Sequence, residues 1–278
     1  MEPARVKSKD FFPAVFSRHA EAYQRRLEDI MARGEARGRT RVIELAAARP
    51  GMRILDLACG PGNLTRRLAA QVAPGGEVIG VDLAPGMIEL ARAADIPNAR
   101  FEVMDIEQLA FADSTFDGAV CGHGLQFAPD LGLALREARR VVRTGGGLAA
   151  SVPVSTVQES AWNLLYTVLD RWLPPRTEVV DQKPTRETVG NREALRQAAL
   201  DAGFASANVE VIEEVVLWES AEHLVSRFTG WWDCASRLET VDSSRREGFM
   251  KDALATLERD HPGTISTTGQ NHVLDARK

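Results

Sequence analysis

Three aspartates and one histidine carry the chemistry this sequence can offer, and each follows an apolar run. Asp56 sits in Ile54-Leu55-Asp56-Leu57-Ala58-Cys59-Gly60-Pro61-Gly62-Asn63-Leu64-Thr65, which reads as a buried strand, a glycine turn and the start of a helix. Gly60 and Gly62 lack Cβ and tolerate positive φ, so a ligand can lie against the backbone of the turn. A helix starting near Leu64 offers unpaired N–H groups and a positive dipole end to an anionic group. Asp82 ends Val78-Ile79-Gly80-Val81-Asp82. Its two acceptor oxygens match a vicinal diol such as a ribose. Its structural alternative is an N-cap for a helix from Pro85. Asp105 follows Phe101-Glu102-Val103-Met104, and His123 lies in Cys121-Gly122-His123-Gly124-Leu125-Gln126. A histidine there can exchange a proton near neutral pH.

The elements that position these residues follow from the apolar pattern. From Met52 strands alternate with helices. Strands read at Arg53–Leu57, Glu77–Asp82, Ala99–Met104, Phe116–Cys121 and Gly147–Val152, with helices near Leu64–Val72, Pro85–Ala94 and Leu131–Val142. Strand centres are apolar, as in a parallel sheet covered on both faces. The alternation predicts a doubly wound α/β sheet. Such sheets bind ligands at the carboxyl ends of their strands, where Asp82, Asp105 and His123 fall.

Before Met52 the first ten residues read as disordered. One helical stripe then runs through Phe12, Phe16, His19, Tyr23, Leu27 and Ile30, and a second helix covers Arg39–Ala48. After Val152 the alternation stops. Trp162, Leu165, Tyr166, Leu169 and Leu173 form an amphipathic stripe that Pro174-Pro175 ends, and Thr177–Val189 reads as a loop. Helix Arg192–Ala202 and a strand at about Val209–Leu217 follow. A helical insertion then has Leu224, Phe228, Trp231 and Ala235 on one face; a helix at about Arg246–Arg259 and a strand at Thr267–Asp275 complete the chain. The expected organisation is an N-terminal helical lid (1–50), a ligand-binding core (51–153), a helical cap insertion (154–190) and the rest of the core (191–278), interrupted by a second insertion at about 219–262.

Composition narrows the partners. Of 278 residues, 44% are hydrophobic and 26% charged, ordinary for a globular protein. A formal charge of −5 argues against nucleic acid, which wants a basic face. The three cysteines show no C-x-x-C spacing, and no metal-ligand cluster is visible. The polar N-terminus lacks a signal-peptide core, and no apolar run approaches the ~20 residues of a membrane span. The cytoplasm is the expected location. A homodimer is left open.

An acidic residue before a G-x-G turn resembles the first motif of the class I S-adenosylmethionine (SAM)-dependent methyltransferases. Leu109-Ala110-Phe111-Ala112-Asp113-Ser114-Thr115-Phe116-Asp117 resembles the L-P-F-x-D-x-S-F-D segment of that family, with Ala110 in place of proline. Glu137-Ala138-Arg139-Arg140-Val141-Val142-Arg143-Thr144-Gly145-Gly146-Gly147 resembles its E-x-x-R-V-L-x-P-G-G segment, with Thr144 where proline is usual. Phe16 to Tyr23 resembles F-x-x-x-A-x-x-Y, with Gln24 in place of the usual Asp. The resemblance covers most of Met52–Val152, returns at Asn191–Phe204, and is to the small-molecule enzymes of the ubiquinone- and menaquinone-biosynthesis type.

The resemblance implies a Rossmann-like, seven-stranded sheet with the last strand antiparallel and helical cap insertions. It implies SAM as cofactor, S-adenosylhomocysteine as product, and methyl transfer to O, N or C of a small organic acceptor in a biosynthetic pathway. Asp56 would take the methionine ammonium group beside the Gly60–Gly62 turn, and Ala58, Asn63 and Gly122 would also contact the cofactor. Asp82 would take the ribose diol, Leu83 and Met87 would pack on adenine, and Asp105 with Ile106 would meet the adenine edge. Tyr23 would act as a lid. His123, and less so His19, are the candidate bases. Gln126, Trp162, Tyr166, Trp231 and Trp232 are candidate walls of an acceptor pocket. Two alternatives stand beside this. One is a SAM-binding enzyme without methyl transfer, cyclase-like. The other is a nicotinamide oxidoreductase, whose G-x-G-x-x-G would need glycine at Thr65 and whose pyrophosphate would face Asp56. Gly122-His123-Gly124-Leu125 does not match the N/D-P-P-Y/F of DNA adenine methylation.

Overall fold

The computed structural model describes residues 5–154, 161–173, 179–180 and 183–278. Seven strands form one sheet: β1 (Arg53–Leu57), β2 (Glu77–Asp82), β3 (Ala99–Val103), β4 (Gly118–Gly122), β5 (Gly147–Val154), β6 (Ser206–Trp218) and β7 (Ile265–Arg277). Their order is β3-β2-β1-β4-β5-β7-β6. β7 runs antiparallel to both neighbours, and the remaining pairs are parallel. This is the Rossmann-like, doubly wound sheet that the sequence pattern implies.

Alternation along each strand explains why helices cover both faces. Ile54, Val78 and Val120 share one buried cluster with Val42 of α3 (Arg37–Ala46), Leu68 of α4 (Asn63–Val72) and Ile88 of α5 (Pro85–Ala93). Their neighbours Leu55, Ile79 and Ala119 point the other way, onto Leu135 of α6 (Leu131–Val141) and Leu195 of α9 (Arg192–Asp201). The winding reverses at β1, which lies between β2 and β4. Leu57 is level with Val81 and Cys121, and Asp82 with Val103, so four strand tips finish together. A reversal of this kind opens a crevice at the carboxyl ends.

The N-terminal segment departs from expectation. Arg5–Val6 pairs with Val179–Val180, and α1 (Ser8–Arg18) begins within the stretch read as disordered. Ser8, Phe12 and Val15 bury one face of it, which pays for ordering a charged segment. The single predicted stripe is two helices, α1 and α2 (Ala20–Ala32), because His19 leaves helical geometry at φ −110°.

Two more helices appear where the pattern was misread. α8 (Lys183–Val189) replaces the end of the predicted loop, with Thr185 and Val189 buried. The remainder of that loop, apart from residues 179–180, and Pro174-Pro175 lie outside the described residues. The second insertion holds α10 (Ala221–Phe228), α11 (Trp232–Leu238) and α12 (Ser243–Asp260), so Trp231 caps a new helix rather than continuing one. With α7 (Ala161–Trp172) they share one core containing Leu165, Leu169, Phe228 and Phe249. Arg237 ties the insertions together, donating to the Leu173 carbonyl at 2.6 Å and pairing with Asp170 at 2.7 Å.

Candidate functional site

Asp56 is fully buried near the tip of β1, and Thr65 in the first turn of α4 donates its hydroxyl to Asp56 Oδ2 at 2.6 Å. The residue at the third position of a dinucleotide fingerprint therefore holds the acid instead. Burial pushes the Asp56 carboxyl up to about 7; the Thr65 bonds oppose this and the Asp82 charge adds to it. The turn that follows needs left-handed backbone at Ala58, Gly60 and Gly62 (φ 52°, 56° and 85°). At Gly62 a Cβ would also lie 3.1 Å from the Phe101 ring.

Asp82 clamps this turn to the next helix. Its Oδ2 accepts from Gly60 N–H and its Oδ1 from Ala84 N–H, both at 2.9 Å. Burial raises its pKa, and these backbone donors with that of Leu83 hold the rise back. Asp105 accepts from Glu107 N–H at 2.9 Å and pairs with Lys9 Nζ at 2.6 Å. Lys9 also lies 2.5 Å from Glu107, so α1 is pinned across the tip of β3 by one ammonium and two carboxylates.

His123 sits at the tip of β4 with φ 68°. Its N–H donates to the Ser151 carbonyl, and its carbonyl accepts from Gln126 Nε2, each at 2.9 Å. Gly124 permits this because a Cβ there would stand 2.4 Å from that of Ala58. His123 Nε2 is buried without a hydrogen-bond partner. Burial, then the charges of Arg39 and Arg26, push its pKa well below the usual histidine value against a bond to Asn271. The ring is neutral at physiological pH.

These groups border three connected spaces. A cleft of about 930 Å³ is lined by Asp82, Leu83, Met87, Asp105, Ile106 and His123 and covered by Phe12, Phe16 and Tyr23. A recess of about 270 Å³ is bounded by Asp56, Ala58, Gly60, Asn63 and Gly122, beneath Tyr23 and Arg39. A chamber of about 1050 Å³ lies beyond, walled by Arg26, Trp162, Tyr166, Trp231 and Asn271. Tyr23, Arg39, His123, Pro153 and Trp231 border both the cleft and the chamber.

Residues 54–146 match the methyltransferase domain family. A demethylmenaquinone methyltransferase of Symbiobacterium thermophilum is 33% identical over 55% of this chain and 64% of its own length. The chain spans about half to two thirds of the first curated relatives it matches (49% and 64%). Among solved structures, the YcgJ protein of Bacillus subtilis has TM-score 0.52 at 17% identity, covering 87% of this chain and 99% of its own. The [4+2]-cyclase SpnF has TM-score 0.56 at 16% identity, covering 100% and 99%. Both likenesses show the fold alone. Residues 54–146 thus carry a methyltransferase domain, on a fold shared with these structures.

The strand tips and the helices over them bring Tyr23, Ala58, Gly60, Asp82, Leu83, Met87, Asp105, Ile106, His123 and Gln126 to the cleft, and Asp56, Asn63 and Gly122 to the recess. Gly62 shapes the turn without lining either space. Trp162 and Tyr166 face the chamber, Trp231 borders both, and Trp232 packs on Phe12 in the cleft wall at 5.2 Å. His19 is not brought to the site. It lies at the α1–α2 break, 2.8 Å from Glu239, where Arg18 also binds, and lines none of these spaces.

Sequence reasoning missed Lys9, Arg26, Arg39 and Asn271. Arg39 is buried, donates to the Tyr23 hydroxyl at 3.3 Å and leaves its Nε without a partner. Asn63 Oδ1 in the recess is likewise buried and unpartnered. Among the described residues no cluster of three His, Cys, Asp or Glu could hold a metal, and no helix is long and apolar enough to cross a membrane.

Proposed function

We propose that this protein transfers the methyl group of SAM to O, N or C of a small organic acceptor in a biosynthetic pathway. The supporting observation is the convergence of Asp56, Asp82 and Asp105, from three neighbouring strand tips, on one cleft and its recess. The recess suits an amino-acid tail. Asp56 as carboxylate and the free Asn63 Oδ1 accept from an ammonium group, while the unpaired Arg39 Nε faces a carboxylate. Asp82 keeps acceptor capacity for a ribose diol, since the backbone donors of Gly60, Leu83 and Ala84 leave part of its carboxylate lone pairs free. Leu83, Met87, Asp105 and Ile106 offer apolar contact and an acceptor to a purine.

SAM supplies an activated sulfonium methyl, so the protein's main task is orientation and exclusion of water. Phe16 and Tyr23 cover the cleft, and Lys9 pins the lid. His123, neutral with a free Nε2, accepts a hydrogen bond from the acceptor better than it abstracts a proton. Calorimetry with SAM, S-adenosylhomocysteine and NAD tests the cofactor, and label transfer from methyl-labelled SAM into a host small-molecule extract tests the reaction. Binding of the two SAM-related ligands without NAD is expected. Binding of NAD alone overturns the proposal, and SAM binding without label transfer leaves a SAM-binding enzyme of another reaction.

A further inference from the structure

The chamber behind the cleft contains a cation without an anion. Arg26 enters it from α2, and its Nε is buried with no hydrogen-bond partner. No carboxylate among the described residues forms an ion pair with it. Its guanidinium lies over Trp231 at 4.5 Å and Trp162 at 5.6 Å. Those rings hold the cation by its charge but accept from none of its in-plane N–H donors. A buried arginine of the second insertion shows the usual solution: Arg237 has Asp170 and two carbonyls.

The charged groups around Arg26 leave it unmatched. Glu214 faces the same chamber, but its Oε1 is engaged by the Gly38 N–H at 2.7 Å. Arg39 is a second cation, and it also borders the cofactor recess. Burial, before any neighbouring charge, pushes Arg26 down to about 10, which still leaves it charged at neutral pH. A buried charge of this kind is costly until an opposite charge arrives. The walls describe the rest of the occupant. Trp162, Tyr166, Trp218 and Trp231 offer flat apolar faces, and His123 stands where the chamber opens to the cleft.

We propose that the acceptor is a flat, conjugated carboxylic acid, its carboxylate held by Arg26 and its far end presented past His123 to the cleft. A single planar guanidinium matches a carboxylate with two parallel hydrogen bonds. A phosphate, with its larger charge, would be undercompensated by Arg26, because the proposed reading gives Arg39 to the cofactor's carboxylate. This inference rests on the methyl-transfer reading, since it treats the cleft as the cofactor's side of the site.

The test uses the full chain saturated with S-adenosylhomocysteine and two matched probes, 2-naphthoate and its neutral amide, 2-naphthamide. Calorimetry should show the acid binding at least about tenfold more tightly, as for a hydrogen bond to a charged group. Arg26→Gln should abolish the preference, and Arg26→Lys should keep part of it, as a point charge without the fork. Both variants should bind S-adenosylhomocysteine like the wild type, which also reports that they fold. Equal binding of acid and amide, binding of neither, or a preference surviving in Arg26→Gln overturns the proposal. Loss of S-adenosylhomocysteine by a folded Arg26→Gln also overturns it, by moving Arg26 to the cofactor. If Arg26→Gln does not fold, the wild-type comparison and Arg26→Lys decide. Wild-type protein that fails to bind S-adenosylhomocysteine would sink the methyl-transfer reading instead.

Discussion

Cofactor binding should release a proton from Asp56, and the amount follows from the structure. In the free protein burial raises this carboxyl to about 7, with Thr65 its one side-chain donor. An ammonium about 4 Å away at an effective dielectric near 20 contributes about 4 kcal/mol. That is enough to return the group to the ordinary carboxylate range. Binding should then release about 0.9 proton at pH 6, about half at pH 7 and about 0.1 at pH 8. Below pH 7 affinity should fall by about tenfold per pH unit.

The assay is calorimetry of S-adenosylhomocysteine binding at pH 6 and pH 8, in buffers of different ionisation enthalpy. Asp56→Asn should lose the proton release at pH 6 and bind more weakly at pH 8. The sign for stability is opposite to that of an ion-paired acid. Between the ordinary aspartate value and about 7 the folded state holds a proton that the unfolded state does not. Stability of the free protein therefore falls as pH rises through that window, by up to about 4 kcal/mol from this group. Cofactor should offset the loss. Absence of proton release at pH 6, or release that persists in Asp56→Asn, refutes the placement of an ammonium beside this residue.

Three further outcomes follow from the same geometry. Asp82→Ala should weaken S-adenosylhomocysteine binding by about a hundredfold or more, because a charged acceptor for two hydroxyls is lost; unchanged calorimetric affinity rejects the diol role. Arg39→Gln should weaken S-adenosylhomocysteine by about tenfold or more while leaving adenosine, which lacks the amino-acid tail, unaffected; parallel losses for both ligands would place Arg39 elsewhere. His123→Ala should lower turnover more than cofactor affinity, and the wild-type pH–rate profile at saturating SAM, where Asp56 is already ionised, should show no ionisation near 6.5, because burial holds the ring neutral. An inflection near 6.5 that disappears in the variant would make His123 an ordinary general base.

The strand tips were legible because they need only local pattern. An acid within an apolar run before a glycine turn fixes the place of Asp56, an acid closing an apolar run before Pro85 fixes that of Asp82, and the alternation of Ile54 and Leu55 sends helices to both faces. The cations were not legible, and α2 shows why. Arg25 and Arg26 are adjacent and chemically identical. Arg25 is exposed and lies 3.5 Å from Glu21 one turn back, as on any solvated helix. Arg26, about 100° further round the helix, is enclosed between Trp162 of α7 and Trp231 at the start of α11. Neither insertion alone encloses it. Each tryptophan read by itself is an ordinary core residue at helical spacing, and the arginine read by itself is a surface charge. Only the packing of both insertions against α2 turns the three into a chamber with an unmatched charge. The proposed cofactor side of this site is therefore written in contiguous motifs, while the proposed acceptor side is written in residues that become informative only once three distant segments meet.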